Sequence, residues 1–328
     1  MLTREASVAT TEHARMSNRL QIQDFNAVPE AARKPVWHNG QLVDWHDALF
    51  HIETHVVNYG SGVFEGIRIY NTKQGPAIFH LDTHLHRLAR SMQLFHIKCP
   101  YSLDQIRQGC IEVAKASEAL FGYLRTQVQF GLSTLALRSI DVIDATTVFW
   151  PMGKYRDIEK LSIGTSQLHR LSPKAFQVEA KVTGYYTNSH YNRIHAVEQG
   201  WDDAIMLDDD GNVAEASVTN IFYAKDGHIF TPATGAILIG ITRNTVLELA
   251  THLGIASHEK TVTIEDLESA DEIFLTGTAV EIEPVSCYGD RPVGTSSPGP
   301  ITRRLQEAYQ KTTNGQLEPF RKWLTFLT

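Results

Sequence analysis

Apolar and polar residues alternate over short stretches in the first half of the chain. Residues 35–45 read PVWHNGQLVDW, with Asn39-Gly40 at the centre. An Asn-Gly pair between alternating apolar residues is a strong signal for a β-hairpin. Further strands are predicted, from short apolar runs, at residues 59–70, 77–79, 123–130 and 145–150.

Two stretches of the same half instead repeat apolar residues every three or four positions. Leu85 and Leu88 show this spacing within residues 82–95, which predicts a helix. Ser102 followed by Gln105 forms a capping box, and a second helix is predicted from there to about residue 118.

The second half is denser in hairpin signals. The turn sequences DDDGN at 208–212 and KDGH at 225–228 each separate two apolar runs, which predicts two hairpins. The segment ILIGITRNTVLELATHLG leads from an apolar strand into a helix, for which Thr242 is the expected N-cap. A strand from residue 272, a turn at 276–279 and a closing helix from residue 300 complete the prediction.

Hairpins mixed with separate helices predict an α/β (α+β) fold, and 328 residues are enough for two domains. The stretch after residue 152 has mixed polarity and is the expected domain boundary. We predict a flexible N-terminal arm at residues 1–28, a small α/β domain at 29–152, an interdomain connection at 153–164 and a larger domain at 165–328.

Composition narrows the class of protein. Hydrophobic residues make up 42% of the chain and charged residues 20%, and the net charge is -7 without a long basic run. These values are typical of a globular protein and give no reason to expect nucleic acid or an anionic membrane as a partner. No apolar run is long enough to span a membrane. Three widely spaced cysteines favour a reducing compartment, so a cytoplasmic location is expected.

The segment HIETH places His51 and His55 four residues apart, a spacing that can bind a metal ion when both lie on a helix. No nearby carboxylate completes a known pattern, and the β-branched residues that follow favour an extended chain. We therefore expect no metal site here.

One lysine is distinguished by its neighbours. Lys181 lies in VEAKVTGYYTNS, among small, β-branched and aromatic residues that would exclude water. Desolvation lowers the pKa of a lysine towards the free amine, which can form a Schiff base, and Tyr185 and Tyr186 are close enough in sequence to orient that amine. A solvated surface lysine is the alternative interpretation.

Other candidate residues would complement this amine. Glu215 in EASVTN has apolar and small neighbours that could turn its carboxylate into a site, and Arg87 in HLHRL could hold a phosphate. The helix start at Ile241-Thr242 and the turn at 276–279 offer backbone donors for an anion. One amine, one acid, one arginine and two anion-holding turns are the set that pyridoxal phosphate requires.

Seven sequence blocks resemble the class IV (fold-type IV) pyridoxal-phosphate aminotransferases and, within them, the branched-chain amino acid aminotransferases. The blocks are YGSGVFEGIR, HxxRL, YLR, AKVTGYYTNS, EASVTNIF, GITR and GTAVEI, in the order and spacing of that family. The resemblance covers residues 37–309. It implies a two-domain, D-amino acid aminotransferase-like fold, in which the larger, pseudo-barrel domain binds pyridoxal 5'-phosphate.

The resemblance also implies roles for individual residues. Lys181 would be the catalytic residue that carries the cofactor, Glu215 would pair with the ring nitrogen, and Tyr186 would bond to the phenolic oxygen. The residues that would hold the phosphate are Arg87, Ile241, Thr242 and Thr278. The substrate-binding residues would be Tyr59, Phe64, Arg68, Tyr123, Arg125, Tyr155, Thr278 and Ala279.

Within the implied substrate site, the backbone of Thr278 and Ala279 would take the α-carboxylate. Arg125, with Tyr123 and Arg68 near it, would receive the distal carboxylate of glutamate. The implied reaction moves the amino group of a branched-chain L-amino acid (Leu, Ile or Val) to 2-oxoglutarate. The family works as a homodimer with active-site loops shared between subunits.

Three features depart from the usual pattern of the branched-chain enzymes, and the first is AEASVTN at residues 214–220 in place of SEGSGEN. The loop STLALRS at residues 133–139 replaces a glycine-containing turn, and Met152 replaces an aromatic residue. Both would reshape the space beside the substrate. They leave open an (R)-selective amine:pyruvate transaminase, or a class IV transaminase of relaxed specificity.

Overall fold

The computed structural model describes residues 28–133, 137, 141–153 and 160–327. Within these ranges the α-helices are α1 (His55–Tyr59), α2 (Leu81–Leu94), α3 (Leu103–Ser117), α4 (Tyr186–Glu198), α5 (Ile241–His252), α6 (Ile264–Glu268) and α7 (Pro300–Thr313). Short 3-10 helices lie at Glu30–Ala32, Trp45–Asp47, Thr183–Tyr185 and Glu318–Trp323.

The strands of the described residues form two sheets. Those of the first sheet are β1 (Val36–His38), β2 (Gln41–Val43), β3 (Gly62–Thr72), β4 (Gly75–Phe79), β5 (Gly122–Phe130), β6 (Ile143–Trp150) and the last strand of the chain, β16 (Leu324–Phe326). Those of the second sheet are β7 (Leu161–Thr165), β8 (Asp203–Leu207), β9 (Val213–Ala216), β10 (Asn220–Lys225), β11 (His228–Pro232), β12 (Ser257–Lys260), β13 (Glu272–Gly277), β14 (Glu281–Tyr288) and β15 (Arg291–Pro292).

The first sheet is antiparallel, in the order β16-β4-β3-β5-β6-β1-β2. Its β1–β2 hairpin turns at Asn39 and Gly40, whose φ angles of 50° and 93° are the left-handed values that an Asn-Gly turn needs. α2 and α3 cover the sheet with the apolar face that their spacing predicted, including Leu88 and Ile106, both fully buried. The predicted capping box of α3 is confirmed, because Ser102 Oγ accepts from the Gln105 N–H at 3.2 Å.

The second sheet has the order β12-β11-β10-β13-β14-β7-β8-β9, and β15 pairs with β14. Its pairs β11–β12, β14–β7 and β7–β8 are parallel. Phe222 and Phe274 stack at its centre with ring centroids 5.0 Å apart. The apolar cluster around them also contains Tyr70 and Phe79 of the first sheet and Leu305 of α7, so one continuous core joins the two sheets.

The structure confirms the predicted mixture of hairpins and helices and corrects three details. The residues after HIETH form the short helix α1 rather than extended chain, and α4 was not predicted at all. Gly240, not Thr242, is the N-cap of α5, so that Thr242 lies inside the first turn. The division at residues 28, 152 and 164 stays a prediction.

The described residues contain neither a candidate membrane span nor a candidate metal cluster. None of their helices is long and apolar enough to cross a membrane. In the same ranges no three His, Cys, Asp or Glu side chains are grouped so that they could hold a metal ion.

Candidate active site

Lys181 lies where the two sheets meet. Its carbonyl oxygen accepts a hydrogen bond from the Phe64 N–H of β3 at 3.0 Å, and its N–H donates to Ser91 Oγ of α2 at 3.0 Å. The next residue, Val182, forms an isolated antiparallel bridge with Val63 of β3. The backbone that carries the lysine is therefore held by both the sheet and a helix of the first half of the chain.

The side chain of Lys181 is half-buried and lies beside aromatic rings. Burial, followed by the positive charge of Arg87, lowers its pKa from 10.5 to about 8. Its Nζ donates to the Tyr186 hydroxyl at 2.5 Å and lies 4.8 Å from the centre of the Phe64 ring. Burial also raises the pKa of Tyr186, so that this hydroxyl keeps its proton. The desolvation expected from the neighbouring sequence is thus present in the fold.

Arg87 of α2 is bound bidentately by Glu65 of β3. Its Nε and Nη2 lie 2.6 and 2.8 Å from the two carboxylate oxygens, and its Nη1 donates to the Ile239 carbonyl at 2.9 Å. His84, one turn before Arg87, contacts the same carboxylate at 2.7 Å. Burial acts to raise the pKa of Glu65, but Arg87 and then His84 outweigh it and hold that pKa far below its ordinary range. Two of the five guanidinium N–H groups remain for a ligand.

A cavity of about 70 Å³ beside Lys181, called here the inner cavity, is lined by polar groups. Gly240 caps α5 without a side-chain bond, which leaves the N–H groups of Ile241 and Thr242 at its rim. Three buried hydroxyls on the wall have no hydrogen-bond partner within the described part of the chain: those of Ser217, Thr219 and Thr276. Unpartnered donors around a small space are suited to a ligand rich in anionic oxygens.

Glu215 of β9 lies at the opposite wall of the inner cavity. Arg170 Nε donates to its Oε1 at 2.5 Å, while Asn220 Nδ2 and the Leu238 N–H donate to Oε2, each at 3.2 Å. Glu215 and Arg170 are both buried. The carboxylate expected to face a site does so, and three donors hold it in one orientation.

A second cavity of about 260 Å³, the outer cavity, opens on the other side of Lys181. Arg125 of β5 projects into it, with its guanidinium 4.3 Å from the Phe64 ring centre, 5.8 Å from Tyr123 and 5.7 Å from Trp150. Among the described residues no carboxylate pairs with Arg125. Aromatic faces attract a cation without neutralising its charge, so Arg125 can still bind an anion.

The two cavities bring together most of the predicted site residues. All seven cofactor residues line the inner cavity: Arg87, Lys181, Tyr186, Glu215, Ile241, Thr242 and Thr278. Of the substrate set, those that line the outer cavity are Phe64, Tyr123, Arg125, Thr278 and Ala279. Tyr59 ends the α1 helix with 41% of its surface exposed, and Arg68 lines a different cavity. Tyr155 lies outside the described residues, as do most positions of 133–139.

Sequence reasoning missed the partners of these charges. Glu65 stands in the quoted block YGSGVFEGIR and Arg170 in LHRLS, but neither was singled out. A signal did exist for Glu65, because an acid between apolar strand residues is normally buried only when it is paired. Nothing local marked Arg170.

Comparison with known proteins agrees with this geometry. The family model of class IV aminotransferases matches residues 62–288. The chain is 39% identical to a branched-chain-amino-acid aminotransferase of Pseudomonas aeruginosa over 297 residues, which are 89% of this chain and 97% of that protein. A match of this extent covers both sheets.

Two crystal structures of the T.th. branched-chain amino acid aminotransferase are similar in fold. One contains pyridoxamine 5'-phosphate and the other N-(5'-phosphopyridoxyl)-L-glutamate. Each has a TM-score of 0.87 and 33% identity, and each alignment covers 90% of this chain and 99% of that one. The fold class and the resemblance inferred from the seven blocks are confirmed, and the chain belongs to the class IV aminotransferase family.

Proposed function

We propose that this aminotransferase moves the amino group of a branched-chain L-amino acid to 2-oxoglutarate, with pyridoxal 5'-phosphate as its cofactor. The observation that carries the proposal is a half-buried lysine of lowered pKa that lines two cavities of different chemistry. The names of the similar enzymes and the phosphopyridoxyl ligands of the two similar crystal structures support it.

The residues of the inner cavity fit this cofactor. The unpartnered hydroxyls, the two remaining N–H groups of Arg87 and the start of α5 are suited to its phosphate, with Ile241, Thr242 and Thr278 as donors. Lys181 would hold its aldehyde carbon, Glu215 its ring nitrogen and Tyr186 its phenolic oxygen. When bound, pyridoxal phosphate supplies an electron sink for the bond broken at the substrate Cα.

The chain's own groups then handle the proton. Lys181 Nζ would accept the proton from the substrate Cα and return it to the cofactor carbon that carried the aldehyde. A lysine of pKa about 8 can do this near neutral pH. The Tyr186 hydroxyl, 2.5 Å from Nζ, orients the amine during this transfer. Arg170 and two further donors hold the Glu215 carboxylate in one orientation.

The outer cavity has to accept two kinds of side chain in turn. Phe64, Trp150 and Met152 offer apolar surface for a leucine-like side chain. The charge of Arg125, which no described carboxylate pairs, suits the distal carboxylate of glutamate or 2-oxoglutarate. The backbone at Thr278 and Ala279 would hold the α-carboxylate. Tyr59 and Tyr155 would complete the wall of the pocket.

We include a homodimer with shared active-site loops in the proposal. Exposed apolar side chains support it, and two groups of them are close in sequence. On residues 49–59 they are Leu49, Phe50, Ile52, Val57 and Tyr59, and on α4 they are Tyr191, Ile194 and Val197. Patches of this kind mark association surfaces. A cytoplasmic location is part of the same proposal, because Cys99, Cys110 and Cys287 are unpaired thiols.

Absorbance of the cofactor tests the proposal directly. L-leucine alone should convert the bound pyridoxal form to the pyridoxamine form, and 2-oxoglutarate should restore the pyridoxal form. In Lys181→Ala neither absorbance change should occur. The comparison pair is (R)-1-phenylethylamine as amino donor and pyruvate as acceptor. If this pair reacts and L-leucine causes no absorbance change, the substrate is an (R)-amine and not a branched-chain amino acid.

A further inference from the structure

The second arginine predicted to bind substrate has its hydrogen bonds elsewhere. Arg68 of β3 is buried, and its Nη1 donates to the carbonyl oxygens of Met152 at 3.2 Å and Gly153 at 2.9 Å. Its Nη2 lies 3.4 Å from Glu281 Oε1. The charge of Arg68 is therefore balanced by a carboxylate, unlike that of Arg125.

Glu281 occupies an unusual backbone position. Its φ of 63° is left-handed, a region that a residue with a Cβ adopts only when its surroundings hold it there. It directly follows the turn 277–280, whose ends pair as Gly277 with Glu281. The Tyr70 hydroxyl donates to the same Oε1 at 2.8 Å. Arg68 and Tyr70 of β3 thus hold the side chain of Glu281 at the point where the turn ends.

These contacts connect two walls of the outer cavity. The turn with Thr278 and Ala279 forms one wall, and Met152 belongs to the other. Met152 also borders a neighbouring cavity of about 590 Å³, which Arg68 and Glu281 line. Met152 lines both cavities, as do Ala279 and Val280 of the turn, so these residues lie between the substrate space and a larger one. Arg68 holds the backbone of Met152 through the two hydrogen bonds described above.

We propose that Arg68, Tyr70 and Glu281 form a latch that fixes the separation between the α-carboxylate turn and the Met152 wall, and so limits the size of the side chain that the enzyme accepts. In this assignment Arg68 is a positioning residue and does not bind the distal carboxylate. The inference rests on the proposed function for its substrates, but its structural part can be measured without them.

The kinetic test compares Arg68→Lys and Glu281→Gln with the wild-type holoenzyme. Lysine keeps the charge of Arg68 but cannot reach all three acceptors, and glutamine keeps the bond from Tyr70 but removes the ion pair. Rapid mixing with L-leucine, L-glutamate or L-phenylalanine alone gives the dissociation constant and the rate constant of each half-reaction. Arg107→Lys is the matched control, because Arg107 makes an exposed ion pair with Asp82 at 2.7 Å.

We expect both latch variants to bind L-leucine and L-glutamate about tenfold more weakly. The affinity for L-phenylalanine should fall by less than this or should rise, because a less firmly held Met152 gives access to the larger cavity. The selectivity for L-leucine over L-phenylalanine should therefore fall, while Arg107→Lys changes nothing. A loss confined to L-glutamate would overturn the proposal, because it would make Arg68 a ligand of the distal carboxylate. Unchanged selectivity in both variants would overturn it as well.

Hydrogen–deuterium exchange of the same proteins separates this inference from the proposed function. In Glu281→Gln the peptides covering 277–281 and 143–153 should both exchange faster than in wild type, because one latch holds both. If wild type ignores L-leucine, the proposed substrate is wrong, and the exchange result still decides the latch. Unchanged exchange in both peptides would refute it.

Discussion

The inner and outer cavities treat positive charge in opposite ways. On the inner side Arg87 is held by Glu65 and Arg170 by Glu215, each through short hydrogen bonds, and three of these four residues (Glu65, Arg170 and Glu215) are buried. On the outer side Arg125 lies among aromatic rings, and the described residues provide it with no carboxylate.

The difference matches the ligands that we propose for each side. A paired arginine has a fixed position and little net charge, which suits a cofactor that stays bound through the whole cycle. An unpaired arginine keeps its charge for an acceptor that enters and leaves. The rings around Arg125 also offer apolar surface when the incoming side chain is leucine-like. The same cavity can therefore serve both half-reactions.

Removing the partner on the paired side should have the largest effect. Glu65→Gln leaves the Arg87 charge buried and uncompensated, and we expect the free energy of unfolding to fall by about 3–5 kcal/mol. Urea denaturation measures this, and dialysis against cofactor-free buffer should show faster loss of pyridoxal phosphate. Asp82→Asn, in the exposed pair with Arg107, is the control and should cost no more than about 1 kcal/mol.

The effect of Glu65→Gln should also depend on pH. The depressed pKa of Glu65 means that its stabilisation is present above the ordinary value of 4.5 and is lost as the pH falls further below that value. Wild type and variant should therefore differ most near neutral pH and approach each other in acid. A difference that grows in acid would contradict the pairing.

Removing the charge on the unpaired side should give a smaller and more selective effect. For Arg125→Gln we expect kcat/KM for 2-oxoglutarate to fall about 10- to 100-fold, while the half-reaction with L-leucine changes by less than about threefold. Arg125→Lys, which keeps the charge, should recover part of the loss. Equal losses for both substrates would mean that Arg125 shapes the cavity and does not receive a carboxylate.

The smallest effect concerns Lys181, which lies between the two cavities. With a pKa of about 8, roughly one tenth of its amine is free at pH 7, so uptake of pyridoxal phosphate by the apoprotein should rise about tenfold per pH unit and level off above pH 8. Absorbance after rapid mixing gives this rate. A rate that keeps rising towards the ordinary lysine value of 10.5 would show that the amine is solvated.

Local signals predicted a good part of the fold. The Asn39-Gly40 hairpin and the capping box of α3 depend on neighbouring residues only, and both form. α4 was missed because its sequence YTNSHYNRIHAVE has no clear apolar stripe, and three of its apolar residues are exposed. The N-cap of α5 was predicted two positions too late, at Thr242, because Gly240 is the N-cap and has no side chain that could signal it.

The site was predictable where the family blocks reached and not beyond them. Lys181, Arg87 and Glu215 stand in such blocks, and the structure brings them to one cavity. The sequence did not show which charges pair, because Glu65, although it stands in a block, is 22 residues from Arg87, and Arg170 is 45 residues from Glu215. Only the packing of the two sheets determines these pairs.

The bridge between Val63 and Val182 holds the backbone next to Lys181 against the first sheet. Together with the hydrogen bond from the Phe64 N–H to the Lys181 carbonyl, this bridge fixes the backbone of Lys181 to β3 beside the outer cavity. Any rearrangement of the outer cavity would therefore have to take place around a lysine whose backbone is already fixed to β3.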